Sequence, residues 1–410
     1  MALRSKWIFW IAASICSGQD QREWSEAQVV ERFLTFSPQA QELRAQVALT
    51  QAEAKTRIVY PNPALVYSRE GAGYNEFFEA AQTVPLSGRM RYLRDAGSAA
   101  VSVAEAHREA ALWWLRSDLR LAFYQMMAAQ ERVRMISASA AEVEQLIRIL
   151  RRREQEGEGS RYDRLRAERE IGELRTDMVA ANALIAAARG KIGGFLPEGT
   201  RVQSVQGGLT VPVEPPALQT LTALAADSRA DYRAEQKALA RFKIEEQAAR
   251  RLRIPDPQVS AGVKRADIVP GVASTGVVFS LSVPLPVFNS GRYEVARFQA
   301  EQDQATARAV VLARQIRTEV EGADEVLIIR REALAAYQRE LESAGAELTR
   351  ITRVAYEEGE VGILELLDSL RLNRLASLRL LDLQAAVREA FIELERVVGA
   401  ELTTNGGGRP

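Results

Sequence analysis

The chain carries one layout twice, and this duplication narrows its possible folds more than any other feature. In the first half Tyr60-Pro-Asn-Pro63, Val84-Pro85-Leu86 with Gly88-Arg89, Glu156-Gly157-Glu158 and Ile192-Gly193 follow one another. In the second half Ile254-Pro-Asp-Pro257, Val283-Pro284-Leu285 with Gly291-Arg292, Glu358-Gly359-Glu360 and Val398-Gly399 follow in the same order. The offset drifts slowly, from 194 (60 to 254) through 199 (85 to 284) and 202 (157 to 359) to 206 (193 to 399). Such drift marks one ancestral unit with small insertions, not a solenoid whose units recur every ~20–50 residues. The expected division is an N-terminal segment 1–18, a first repeat 19–200, a Gly- and Pro-containing linker 201–216, a second repeat 217–400 and a disordered tail 401–410.

Proline placement sets the elements of each half. A helical run over 26–58, rich in Ala, Gln and Glu, ends at Pro61 and Pro63. Proline cannot continue a helix interior, and it pushes its predecessor toward extended backbone. Residues 64–69 and 77–84 then read as short strands around a loop with Gly71, Gly73 and Asn75; 258–264 and 275–283 are their counterparts. Pro85 and Pro284 close the strand pairs, with Ser87 and Ser290 as candidate caps of the helices after them. No proline lies between Pro85 and Pro197, or between Pro286 and Pro410. A helix filling the stretch from Pro85 to Gly157 would reach roughly 100 Å, longer than a globular core uses. Leu112, Leu115, Leu119, Leu146 and Leu150 are spaced like the narrow packing stripes of coiled coils. Antiparallel partners return over 162–192 and 363–398, the latter carrying Leu364, Leu367, Leu375, Leu378 and Leu381. The expected unit is thus helix, strand, strand, very long helix, long helix.

Composition excludes several functions. Lys plus Arg and Asp plus Glu each number 54, so the net charge is zero and nothing points to a nucleic-acid partner. Arg4 and Lys6, a nine-residue apolar run over 7–15, and then Ser17 and Gly18 read as an export signal peptide over 1–18. The run is too short to span a bilayer. Cys16, the single cysteine, ends this segment. It could carry a lipid, although Ile15 before it is larger than bacterial lipoprotein signals normally tolerate. Without it the mature chain has no thiol for a disulfide or a nucleophile. The single His107 lies in a helical Ala–Glu pattern, and no spaced His/Cys cluster suggests a metal site. No Gly-Lys-Ser/Thr follows Gly190 or Gly193-Gly194, and Trp113-Trp114 reads as packing. No cofactor and no catalytic residue are expected; the chain does not read as an enzyme.

No later run of eighteen apolar residues appears, so entry into a membrane would use strands. Strands of about seven to ten residues suit a tilted crossing. A lipid-facing sheet cannot keep open edges, and bacterial barrels start at about eight strands, so four strands per chain would demand several copies. A small soluble sheet capping a coiled coil fits the same period.

These residues resemble the TolC family of outer-membrane efflux channels, over residues 25–400. The likeness rests on Pro61-Asn-Pro63 before a strand, Val283-Pro-Leu-Pro286 followed by Gly291-Arg292, and Arg229-Ala-Asp231 opening the second half. It rests most on Tyr356-Glu-Glu-Gly359 through Ile363-Leu-Glu-Leu-Leu-Asp368. Ala230 stands where the family usually has proline. The short chain and the wording around Pro61 and Pro284 look most like the CzcC-type branch linked to heavy-metal efflux. The resemblance implies a mainly α chain with a small transmembrane β part, assembled as a homotrimer. A twelve-stranded β-barrel in the outer membrane of a Gram-negative bacterium would continue as a long α-helical barrel through the periplasm. It further implies contact with outer-membrane lipid, a periplasmic adaptor (membrane fusion) protein and an inner-membrane RND-type pump that supplies the energy. Substrate would pass through passively, with metal ions, drugs and proteins as competing cargoes. The competing class is a non-channel coiled-coil structural protein of the periplasm or cell surface.

The turns between the long helices hold the candidate site. Gly157 and Gly359 sit where a turn needs positive φ. Asp163 and Glu365 each follow by six residues, and Asp368 shares a helix face with Glu365. By resemblance, Glu365 and Asp368 match the acidic positions that ring the family's closed pore constriction, with Asp163 as a third candidate. A carboxylate ring attracts cations. Other readings stay open: Ser160 with Asp163 has capping-box spacing, and Glu365 lies in a first turn where the helix dipole favours acids. Arg166 takes Asp368's place in the first repeat, so any ring is asymmetric between halves. Gly157, Gly159, Arg161, Gly359, Val361 and Gly362 would form the adaptor-contact tips, or simply tight turns. Pro85, Gly88, Pro284 and Gly291 mark the strand-to-helix junctions.

Overall fold

A computed structural model of the chain describes residues 23–71, 75–211, 213–269, 272–340 and 342–402. The segment 1–18 expected as a signal peptide, with Cys16, the loop residue Gly73 and residues from 403 on lie outside them.

The chain opens with β1 (Glu23–Trp24), and Ser25 then starts α1 (Glu26–Phe36) with a reciprocal cap. Its hydroxyl accepts from the Gln28 N–H, and its own N–H donates to the Gln28 side chain. The single helix expected over 26–58 is two. Ser37 caps α2 (Pro38–Thr56), where Pro38 fills the first position, whose N–H would lack an intrahelical partner anyway. Next come β2 (Ala64–Glu70), β3 (Asn75–Thr83), α3 (Arg89–Gln155) and α4 (Arg161–Phe195). The 67 residues of α3 span about 100 Å. Between the repeats, β4 (Ser204–Val205) pairs in parallel with β1. The second repeat is α5 (Leu218–Ser228), α6 (Ala230–Arg250), a 3₁₀ turn, β5 (Gln258–Val269), β6 (Val272–Ser282), α7 (Arg292–Glu340), α8 (Glu342–Glu357) and α9 (Ile363–Val398). β5 runs past Lys264 because its pairing continues, Arg265 with Thr275 and Asp267 with Ala273. The repeats differ at their ends. Gly193 lies inside α4, whereas Gly399 takes φ 77° and caps α9.

The four long strands form one antiparallel sheet in the order β2-β3-β5-β6. The second strand of one repeat pairs with the first strand of the other, from Asn75–Ala266 to Thr83–Gln258. The expected twelve-stranded barrel continued by a helical barrel is overturned: the structure is mainly α with a small open sheet, whose edge strands β2 and β6 are not paired with each other. Strand number is the reason. Neighbouring strands twist by roughly 20–25°, and closure takes about eight of them, so four cannot bring their edges together. Among the described residues no helix is long and apolar enough to cross a membrane.

Register sorts the sheet into two faces. Leu65, Ala80, Ala261 and Phe279 share one row, and Tyr67, Phe78, Val263 and Val277 the next. This apolar face is uncovered: Leu65 is 90% and Phe279 76% exposed. The opposite face is wetter, with Glu79, Lys264 and a Ser260–Ser280 hydroxyl pair at 2.7 Å.

Three clusters pack the helices. Phe33 of α1 meets Phe123 and Met126 of α3, Ile192 of α4 and Val205 of the linker. Farther along, Ile136, Leu146 and Leu150 of α3 meet Leu174 of α4 and Leu366 of α9. The third joins Leu221 of α5, Val320 and Leu327 of α7, and Leu394 of α9. The leucine stripes are only partly buried, since Leu364 and Leu375 stay exposed. Glu401 and Leu402 also pack, Glu401 against Arg116 and Leu402 in the third cluster.

Candidate functional site

Both helix-turn-helix tips are built the same way. After α3, the Glu158 N–H donates to the Arg153 carbonyl at 2.9 Å and the Gly157 N–H to Glu154 at 3.2 Å. After α8, the Glu360 N–H donates to Ala355 at 2.8 Å and the Gly359 N–H to Tyr356 at 3.2 Å. These are Schellman closures, which need a left-handed residue. Gly157 and Gly359 supply it with φ 78° and 80°. The first tip is tighter: a Cβ on Gly159 would stand 2.8 Å from the Arg153 Cβ. Arg161 begins α4 and is exposed, Val361 is half-buried, and Gly362 precedes α9 without a side-chain cap.

Ion pairs lock the first tip. Arg164 meets Glu154 at 2.6 Å and Glu168 at 2.9 Å, and Arg151 also meets Glu168 at 2.9 Å. The hydrogen bond from Arg164 holds the Glu154 carboxyl below the usual carboxylate range. Arg153 lies 5.9 Å over the Tyr356 ring, so the two tips touch. Burial raises the Tyr356 hydroxyl pKa; Arg153 opposes this and Asp163 adds to it.

The acidic candidates separate into two places. Ser160 caps α4 by accepting from the Tyr162 N–H at 3.1 Å, and half-buried Asp163 sits in the first turn beside Tyr356. Glu365 and Asp368 are exposed together on α9, in a groove of about 430 Å³ shared with α4. The Glu365 carboxylate folds back over the start of α9, 3.0 Å from where a Gly362 Cβ would stand. The helix dipole favours an acid there. Arg166, Arg169 and Arg371 line the same groove, so the carboxylates share it with cations. Sequence reading missed Arg169 and Arg371, although three-residue spacing from Arg166 and Asp368 puts each on the right face. His107 is exposed, and among the described residues no group of three His, Cys, Asp or Glu could hold a metal ion.

The junction residues lie where strands become helices. Gly88 and Gly291 both take positive φ, 68° and 80°. Gly291 is also crowded, since a Cβ there would come 2.6 Å from the Ala249 carbonyl. Pro85 and Pro284 precede them. The Asp256 carboxylate accepts from the Ser87 N–H at 3.0 Å, and the Val84 N–H donates to the Pro257 carbonyl at 2.8 Å, so each repeat helps close the other. Ser87 accepts weakly from Arg89 at 3.4 Å, whereas Asn289, not Ser290, serves the corresponding turn by accepting from Gly291.

Two buried arginines tie the helices of the two repeats together. Arg229, before α6, meets Asp231 at 2.7 Å, Glu319 of α7 at 2.8 Å and the Val397 carbonyl of α9 at 2.9 Å, with Trp114 of α3 5.2 Å away. Arg120 of α3 binds Glu26 of α1 and, at 2.6 Å, Glu395 of α9. Tyr124 donates to Glu26, and Arg388 lies 4.1 Å over its ring.

No family model matches the chain. The cobalt-zinc-cadmium resistance protein CzcC of Cupriavidus metallidurans is 26% identical over 361 residues, 83% of this chain and 82% of that protein. Among solved structures, CusC, studied for its folding and transmembrane channel formation, superimposes with a TM-score of 0.73 at 18% identity, covering 92% of each chain. The open-state MtrE outer-membrane channel of Neisseria gonorrhoeae gives 0.70 at 19%, covering 92% of this chain and 89% of its own. The chain has the fold of TolC-type outer-membrane channels.

Proposed function

We propose that this chain is a subunit of an exit duct in the outer membrane of a Gram-negative bacterium, conducting substrate passively from a periplasmic adaptor and an inner-membrane RND-type pump. The observation that carries the reading is the bare apolar face of the sheet, with Leu65, Tyr67, Phe78, Val277 and Phe279 exposed at one end of a helix of about 100 Å. In water an apolar patch of this kind is an association hazard, whereas against lipid its burial is favourable. The edges β2 and β6 need partners in hydrocarbon, and further copies of the chain supply them. Exposed Val179, Val310 and Ile329 favour copies packed side by side along the helices, three in the arrangement proposed here. The fold of outer-membrane channels supports the same reading.

The likeness to a cobalt-zinc-cadmium resistance protein supports divalent metal cations as the cargo. On this reading the tips around Gly157, Gly159, Arg161, Gly359, Val361 and Gly362 meet the adaptor, and Glu365 and Asp368 attract cations at the inner mouth. Incorporation into a planar bilayer tests the duct: steady single-channel conductance is expected. A coiled-coil structural protein would give none, and its absence from well-folded, membrane-inserted protein overturns the proposal.

A further inference from the structure

The four crossings between sheet and helices carry a net positive charge. Residues 55–63, 84–94, 250–257 and 283–293 hold nine basic residues and one acid, Asp256, in a chain whose net charge is zero; the next acids, Asp95 and Glu294, lie just inside the helices. That acid is occupied by the Ser87 N–H. Lys55 and Arg57 lie at the end of α2, and Arg250, Arg251 and Arg253 at the end of α6, where a helix C-terminus welcomes cations. Arg89 and Arg91 are different. They lie in the first turn of α3, where the dipole repels a cation and no acid offsets it; Arg94 stands just beyond, and Arg292 opens α7. Arg57 and Arg250 have ion-pair partners in Glu245 and Glu246, but Arg89, Arg91, Arg94 and Arg253 have none among the described residues. The Arg89 Nε is buried without a hydrogen-bond partner. An external anion would satisfy what the fold does not.

The level of this collar identifies the anion. It sits where the apolar face of the sheet ends, among exposed Tyr60, Tyr293 and Phe288, the last 98% exposed. Aromatic side chains beside arginines at the edge of an apolar band are what a membrane–water interface selects. We propose that this collar binds the headgroup phosphates of anionic phospholipids in the leaflet from which the helices emerge. The inference rests on the reading that the apolar sheet face meets lipid.

The test uses the full chain in neutral detergent, incubated with equal amounts of phosphatidylglycerol and phosphatidylcholine, with bound lipid counted by native mass spectrometry. The native protein retains phosphatidylglycerol preferentially at low salt and loses that preference at high salt. Replacing Arg89, Arg91, Arg94 and Arg253 together by Gln weakens it by about fivefold per arginine. The matching set of Lys replacements keeps most of it, which guards against a Gln variant that fails to fold. Equal retention of both lipids by the native protein, or displacement of phosphatidylglycerol by inorganic phosphate alone, overturns the collar. Conductance in pure phosphatidylcholine bilayers separates the two proposals. Conductance without lipid preference removes only the collar, and lipid preference without conductance removes only the duct.

Discussion

Arg120 sits 6% exposed between Glu26 and the 3%-exposed Glu395, which also accepts from the Leu402 N–H at 2.9 Å. Removing a partner from a buried charge costs more than the pair itself contributes. Glu395→Ala is therefore expected to destabilise the chain by about 3 kcal/mol, read as a lowered thermal midpoint in detergent. Glu26 gives the network its pH dependence. Burial works against its ionised form, but Arg120, Tyr124 and Arg388 outweigh burial and hold its carboxyl below the ordinary value. Because the folded value is the lower one, its contribution is present above the unfolded carboxylate pKa of about 4.3 and is lost as pH falls through the folded pKa. Native protein should lose stability on acidification below about pH 4 more steeply than Glu26→Gln; equal slopes would remove Glu26 from the network's pH response. None of these partnerships was legible beforehand. Glu26 and Arg120 are 94 residues apart, and nothing in either neighbourhood names the other. The tip glycines were legible, because a left-handed turn needs only its own residue.

At the scale of the element, the sheet makes the sharpest claim. Adjacent residues Phe279 and Ser280 point to opposite faces, the first bare and apolar, the second bonded to Ser260. On the proposed lipid contact, Phe279→Arg should cost about 2–4 kcal/mol of membrane insertion, while Ser280→Arg costs little. The measurement is the fraction of chain recovered in the membrane, and equal effects would argue that the Phe279 face never meets lipid. Alternation was visible in Val277, Phe279 and Leu281, but the partner strands that make it a continuous face were not. The break at Ser37 and Pro38 was legible and missed: Ala-, Gln- and Glu-rich sequence on both sides favours one helix, but Ser-Pro is a strong start signal for a new one.

At the scale of the whole molecule, the proposed duct makes Asp368 a pore charge repeated in every copy. Asp368→Asn should then raise the divalent-cation concentration needed for half block of conductance several-fold, despite Arg166, Arg169 and Arg371 in the same groove. Unchanged block would assign Asp368 to the groove alone. The repeat, the long helices, the strand positions and both tips follow from proline, glycine and periodicity, because these act over a few residues. Which strand neighbours which, that the sheet stays open, and what Arg229 and Arg120 hold all depend on contacts between distant segments. Such contacts are selected by summed packing and charge pairing over the folded chain, and no local window of residues contains that sum.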